Sequence, residues 1–213
     1  MINFSKVYLQ FTKDYFALCN ISVKIEDGEK ICLAGEKDSG KTSFLRIIAG
    51  LEKGYTGDVY INNKNQQDLD YQYDISVGYV PKRGVFFEHR TVKDNMLYAL
   101  GIRQSNLTPY EGEQLIDNVL NKFGLLDVKD IKVKKLKNLQ RYLLSFARLN
   151  LRKLDILLVD SIWDNKEDIE TLKNALNILV QENACTTIIS TENEENTDDL
   201  GYKKLNMHAG ILD

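Results

Sequence analysis

The stretch Lys30-Ile31-Cys32-Leu33-Ala34-Gly35-Glu36-Lys37-Asp38-Ser39-Gly40-Lys41-Thr42-Ser43-Phe44-Leu45-Arg46-Ile47-Ile48-Ala49 decides the fold. Its first five residues read as a short buried strand, and from Ser43 onward Phe44, Leu45, Ile47 and Ile48 fall at helical spacing. Between them, Gly35 to Thr42 fits the pattern G-x-x-x-x-G-K-[ST], in the strand–loop–helix context that gives the pattern its meaning. Glycines let the backbone turn tightly, so that successive N–H groups converge on phosphate oxygens while the helix N-terminus adds partial positive charge. Lys41 then supplies an ammonium for the outer phosphates, and the Thr42 hydroxyl is placed to hold Mg²⁺. The candidate phosphate-binding residues are Gly35, Glu36, Lys37, Asp38, Ser39, Gly40, Lys41, Thr42 and Ser43.

Further along, Ile156-Leu157-Leu158-Val159 reads as a buried central strand, and the Asp160 that ends it suits the carboxylate a Mg²⁺ bound at Thr42 needs. Ile169, Leu172, Leu176 and Leu179 repeat at helical spacing, followed by the strand-like Cys185 to Ser190. Strand, helix and strand in that order predict a parallel α/β sheet with right-handed crossovers. Asp58 to Ile61 and Ile75 to Val80, on either side of an Asn- and Asp-rich connection, predict a small β region. Thr108-Pro109-Tyr110-Glu111 matches a capping box with Pro at the first helical position, and Leu115, Ile116, Val119, Leu120 and Phe123 make one apolar face. Residues 88–138 thus read as a helical lobe, and a further helix is expected over about Leu139 to Leu151.

Composition bounds what this chain can be. Its 213 residues suffice for one large domain, and 43% hydrophobic with 28% charged residues is the balance of a globular protein. A net charge of −3 lacks the general basicity that points to nucleic acid. No apolar run reaches the roughly 20 residues of a membrane span, and Met1 to Lys6 show no basic segment leading into an apolar one, so a cytoplasmic location is expected. Cys19, Cys32 and Cys185 are odd in number and lack C-x-x-C spacing, which speaks against a disulfide framework or zinc site and for small buried hydrophobes. His89 and His208 have no neighbouring ligand pattern, and no internal repeat is present.

In its order of parts the chain resembles, over nearly its full length, the nucleotide-binding subunit of ABC-type transporters. Asp14 to Ser22 is similar to the family's opening strands, where an aromatic side chain stacks on adenine; Tyr15 is the candidate. Val77-Gly78-Tyr79-Val80-Pro81 resembles its G-Y-V-P-Q segment, Thr91-Val92-Lys93-Asp94-Asn95 its T-V-x-E-N, and Gln140 to Arg148 running into Lys153 to Asp160 the end of its signature motif and its Walker B strand. The resemblance implies an α/β P-loop NTPase core with a parallel sheet, a small antiparallel β subdomain and an inserted helical lobe. The implied arrangement is one ATP-binding domain over 1–213, with 1–87 and 139–213 as core and 88–138 as lobe.

The departures from the family pattern fall on residues that carry hydrolysis. Lys82 stands where the family has the Gln that contacts metal and attacking water, and Ser161 where it has the Glu that polarises that water. Glu192 stands where it has the His that bridges to the γ-phosphate. Leu136-Lys137-Asn138-Leu139-Gln140 replaces L-S-G-G-Q, so the signature lacks its hydroxyl and its two small residues. A cation at 82 repels Mg²⁺, and a carboxylate at 192 repels phosphate.

The resemblance therefore implies ATP and Mg²⁺ binding with impaired hydrolysis. It also implies a second ATPase subunit, as a homodimer or heterodimer, and a separate membrane permease holding the chain at the inner face of the membrane. Arg83, Gly84, Val85, Phe86 and Phe87 are expected to meet that permease, or else to pack inside the lobe. A nucleotide-dependent regulatory or scaffold protein remains the alternative. A kinase or GTPase sharing only the loop should carry an Arg-rich lid or an N-K-x-D motif, and neither is found. The basic run Lys129, Lys132, Lys134, Lys135, Lys137 and Arg141 reads first as a solvated face.

Overall fold

A computed structural model describes residues 1–101, 106–163 and 165–213. The described residues divide into two compact units, 1–82 with 154–166 and 183–213, and 83–153 with 167–182.

The first unit holds two sheets. Strands β1 (Ile2–Thr12), β2 (Tyr15–Ile25), β4 (Tyr55–Ile61) and β5 (Lys64–Asn65) form an antiparallel sheet in the order β2-β1-β4-β5. The other sheet is built on β3 (Lys30–Ala34), β6 (Val77–Val80), β7 (Ile156–Asp160), β8 (Thr186–Thr191), β9 (Lys203–His208) and β10 (Ile211–Leu212), in the order β10-β9-β3-β8-β7-β6. Every pairing among β9, β3, β8, β7 and β6 is parallel, while β10 pairs antiparallel with β9. All five residues of β7 and all six of β8 are buried, as strands covered on both faces must be. Helix α1 (Lys41–Ile48) contributes Phe44, Leu45, Ile47 and Ile48 to a core shared with Phe4, Val59, Leu158 and Ile188, and the rings of Phe4 and Phe44 stack at 4.5 Å.

One expectation needs correction. The segment ending in Val80 does not belong with Asp58 to Ile61: β6 pairs parallel with β7, Val77 opposite Ile156 and Val80 opposite Val159, and so lies in the main sheet. Only four residues long, it alternates half-buried and buried residues in a way that fits a strand of either sheet; the partner strand decides its sheet. The antiparallel sheet is completed instead by β1, which the sequence reading passed over together with β9 and β10.

The second unit carries α2 (Val92–Gly101), α3 (Pro109–Lys122) and α4 (Asn138–Asn150). Thr108 caps α3 as the sequence predicts: its hydroxyl accepts from Glu111 N–H while the Glu111 carboxylate accepts from Thr108 N–H. Ile116, Val119, Leu120 and Phe123 are buried on one face. Residues 139–153, read from the sequence as core, fall in this unit, as does most of α5 (Ile169–Asn183). No helix among the described residues is long and apolar enough to cross a membrane.

Candidate functional site

The site is assembled where the parallel strands of the first unit end. Ala34 is paired with Thr191, Ser190 with Asp160, and Val159 with Val80. The residues that follow these pairs are Gly35, Glu192, Ser161 and Pro81-Lys82. Strand register alone thus brings four separated segments to one edge.

Gly35 to Gly40 curls around the Lys41 ammonium. Lys41 Nζ donates to Gly35 O at 2.8 Å, to Glu36 O at 2.6 Å and to Ser39 Oγ at 3.0 Å. The glycines are required here: a Cβ on Gly35 would stand 2.2 Å from Met207 O, and one on Gly40, whose φ is 107°, would stand 2.3 Å from Ala17 O. Glu36, Lys37 and Asp38 lie exposed on the loop, Ser39 and Lys41 are buried, and Ser43 is half-buried in the first turn of α1. Since α1 starts at Gly40 with no side-chain cap, the N–H groups of its first turn are left for an anion. Burial pushes the Lys41 ammonium below its ordinary pKa, with the Glu192 and then the Asp160 carboxylate acting in the opposite sense. Tyr15 reaches the same loop: its hydroxyl donates to Asp38 O at 3.3 Å, and its half-exposed ring stacks with Phe11 at 6.4 Å.

Asp160 is 2% exposed and is satisfied by three hydroxyls. Thr42 Oγ1 donates to Oδ1 at 3.1 Å, Ser190 Oγ to Oδ1 at 2.9 Å, and the Tyr79 phenol to Oδ2 at 3.1 Å. Burial, then the carboxylate itself, hold the Tyr79 phenol well above its ordinary pKa, so it remains a donor. Ser190 and Tyr79 lie inside stretches quoted from the sequence, but nothing in spacing shows that their hydroxyls converge on Asp160.

Ser161 has a left-handed backbone, φ 46°, unusual for a non-glycine residue. Its N–H donates to Ser190 Oγ at 3.0 Å and Ser190 O at 3.2 Å, which hold it there. Because the Ser190 proton goes to Asp160, the Ser161 hydroxyl is the donor in its 3.1 Å contact with Ser190 Oγ. Ser161 is thus a buried hydrogen-bonding residue, with no carboxylate at its position. Trp163, buried beside it, donates from Nε1 to Ser190 O at 3.0 Å.

Lys82 and Glu192, read singly from the sequence as two unfavourable charges, form one ion pair at 3.1 Å. Strand β7 lies between β6 and β8, so the pair spans the end of β7. The charges of Lys41, Asp160, Lys82 and Glu192 sum to zero.

A nucleoside triphosphate and Mg²⁺ fit these residues on three observations: an uncapped helix start, a lysine whose ammonium the loop encloses, and a Thr42–Asp160 pair of hard oxygen donors.

In the second unit, Lys129 is paired with Asp117 at 2.8 Å and Arg141 with Glu88, so the basic run is not wholly solvated. Phe86 lies under the guanidinium groups of Arg141 and Arg148, at 5.2 and 5.6 Å, while Phe87 meets Tyr98 edge-on and stays half-exposed. Of the residues expected to meet a partner, Phe86 is packed within its unit, whereas Val85 is 78% exposed. Lys137 is the N-cap residue just before α4, its N–H donating to Gln140 Oε1 at 3.0 Å.

Comparison with known proteins gives concordant results. The sequence model of the family described as ABC transporter matches residues 18–163. The sulfate/thiosulfate import ATP-binding protein CysA of Vibrio cholerae is 31% identical, covering 99% of this chain and 56% of its own length. The trehalose/maltose import ATP-binding protein MalK of Thermococcus litoralis is 28% identical, with 92% and 54% covered. The chain therefore spans about half the length of the curated relatives it matches. Among solved structures, a dimeric ATP-binding cassette in a post-hydrolysis state with ADP and phosphate superimposes with TM-score 0.86 at 21% identity, covering 100% of this chain and 98% of that one. At that identity the likeness speaks for the fold alone.

Proposed function

Since the chain belongs to the ABC transporter family, we propose that it is an ATP-binding subunit that takes ATP on residues 35–43 and hydrolyses it slowly or not at all. The single observation that carries this reading is the loop drawn around Lys41 with Thr42 joined to Asp160. In this reading 1–213 is one ATP-binding domain, and Tyr15 stacks on the base. Loop N–H groups and Lys41 bind the phosphates. Thr42 and Asp160 hold Mg²⁺, which supplies charge neutralisation at the phosphate oxygens.

Phosphoryl transfer asks the protein mainly for position and charge, so a sound cradle binds even where the cleavage groups are missing. At Ser161 there is a hydroxyl whose proton is committed to Ser190, and Lys82 and Glu192 neutralise each other. Loss of a general base alone costs about 10²–10⁴ in rate. The relatives are named for importing different solutes, so no solute is carried over to this chain. Their names speak of import and of ATP binding, and in this reading the chain is a cytoplasmic subunit that works with a separate permease and a second ATPase subunit, alike or different. If the signature residues Lys137, Asn138 and Leu139 leave a homodimer with two poor sites, a heterodimer with an intact partner follows; a nucleotide-dependent scaffold is the reading in which no permease is bound.

The test is a calorimetric titration with ATP and Mg²⁺ beside a phosphate-release assay on the same preparation. Binding is expected in the micromolar to millimolar range, weakened at least about tenfold in Lys41→Ala, with turnover far below one per second. Turnover of several per second that disappears in Lys41→Ala overturns impaired hydrolysis; no binding at millimolar ATP overturns the whole reading.

A further inference from the structure

The Lys82–Glu192 pair joins residues 110 positions apart, and both side chains stay partly open to solvent, at 46% and 35% exposure. A pair this exposed is weakly held and exchanges partners readily. Its place is specific nonetheless. Glu192 follows Thr191, the residue paired with Ala34, so it stands beside the point where the phosphate loop begins. Lys82 follows the β6 end that is paired with Val159, so it stands beside Asp160. Glu192 is also the carboxylate that acts most strongly on the Lys41 ammonium, and Lys82 acts on it in the opposite sense.

In loops of this pattern the lysine reaches the outer phosphates of a nucleotide. A terminal phosphate brought to Lys41 therefore enters the field of Glu192 and Lys82 together. The carboxylate repels it, and the ammonium that would attract it is already engaged with that carboxylate. A diphosphate brings less charge to the same place and meets less of either effect.

Resting on the nucleotide reading above, we propose that Glu192 is an internal competitor for the terminal phosphate: by holding Lys82, it lowers the preference of the loop for a nucleoside triphosphate over a diphosphate. The pair is thus a specificity device. Whatever draws Lys82 away from Glu192 strengthens triphosphate binding and leaves the diphosphate less affected.

The experiment measures calorimetric affinities of the full chain for ADP and for the β,γ-imido analogue of ATP, at equal Mg²⁺, in wild type, Glu192→Gln, Lys82→Gln and the double variant. Melting temperatures establish that each is folded. In Glu192→Gln the ratio of analogue to ADP affinity is expected to rise about tenfold. In Lys82→Gln, where Glu192 is left without this cation, the ratio falls. In the double variant, where no ammonium is freed, the ratio is expected to return to within about threefold of wild type and to stay well below that of Glu192→Gln. Equal changes for both nucleotides in Glu192→Gln, or a ratio in the double variant as high as in Glu192→Gln, overturn the proposal while leaving nucleotide binding intact. Failure of wild type to bind either nucleotide overturns the nucleotide reading and this inference with it.

Discussion

Ser161 shows how one residue reports both on stability and on chemistry. Its backbone is left-handed, its N–H and hydroxyl both point to Ser190, and through Ser190 it connects to Asp160. Replacing it with Ala removes one donor from a buried chain of hydroxyls while leaving the N–H contact in place. The expected cost is about 1 kcal/mol, a fall in melting temperature of about 2–4 °C for a chain of this size. A melting temperature unchanged in Ser161→Ala would show that the hydroxyl chain contributes nothing. The identity of residue 161 was plain in the sequence, and so was the absence of a carboxylate; that its proton is taken by Ser190 was not, because 29 residues separate the two. Lys82 and Glu192 give the same lesson more sharply. Each reads as a hostile charge in isolation, and together they cancel.

Among the elements, α3 was the most legible, since everything that starts it lies within four residues. Thr108 and Glu111 cap reciprocally, and Pro109 occupies a position where its missing N–H costs nothing. Thr108→Ala is expected to destabilise by about 1 kcal/mol, read as a drop of about 3 °C in thermal melting followed by circular dichroism. A Leu176→Ala change in α5, at a side chain with no exposed surface, should cost about 2–5 kcal/mol instead. The contrast between a cap and a core position is itself the check: equal losses would mean that α5 is not packed as described. Strand β6 was legible as a strand but not in its sheet. Its four residues alternate in burial as any strand does, and its membership in the parallel sheet comes wholly from β7.

Taken as a whole, the molecule carries many carboxylates held below their ordinary pKa. Hydrogen bonding is the leading cause in each case: from the Glu26 backbone for Glu29, Arg141 for Glu88, the Thr91 backbone for Asp94, Thr108 for Glu111 and Lys122 for Glu182. A carboxylate whose folded pKa is depressed binds a proton more readily when unfolded, so its stabilisation is complete above the ordinary value near 4 and is lost as pH falls through the folded value. Melting temperature should therefore be flat from neutrality to about pH 5 and decline steadily below about pH 4.5. An acid-side profile that stays level to pH 3 would mean that these partners do not persist in solution. What the sequence by itself determined is whatever depends on neighbours along the chain: the strand–loop–helix around Gly35 to Thr42, the cap at Thr108, the buried run ending at Asp160 and the family these parts belong to. Only the tertiary structure decided which sheet β6 joins, which hydroxyls satisfy Asp160 and that Lys82 meets Glu192. Spacing and periodicity act over a few residues, whereas these contacts arise from the register of parallel strands whose partners lie tens to a hundred positions away.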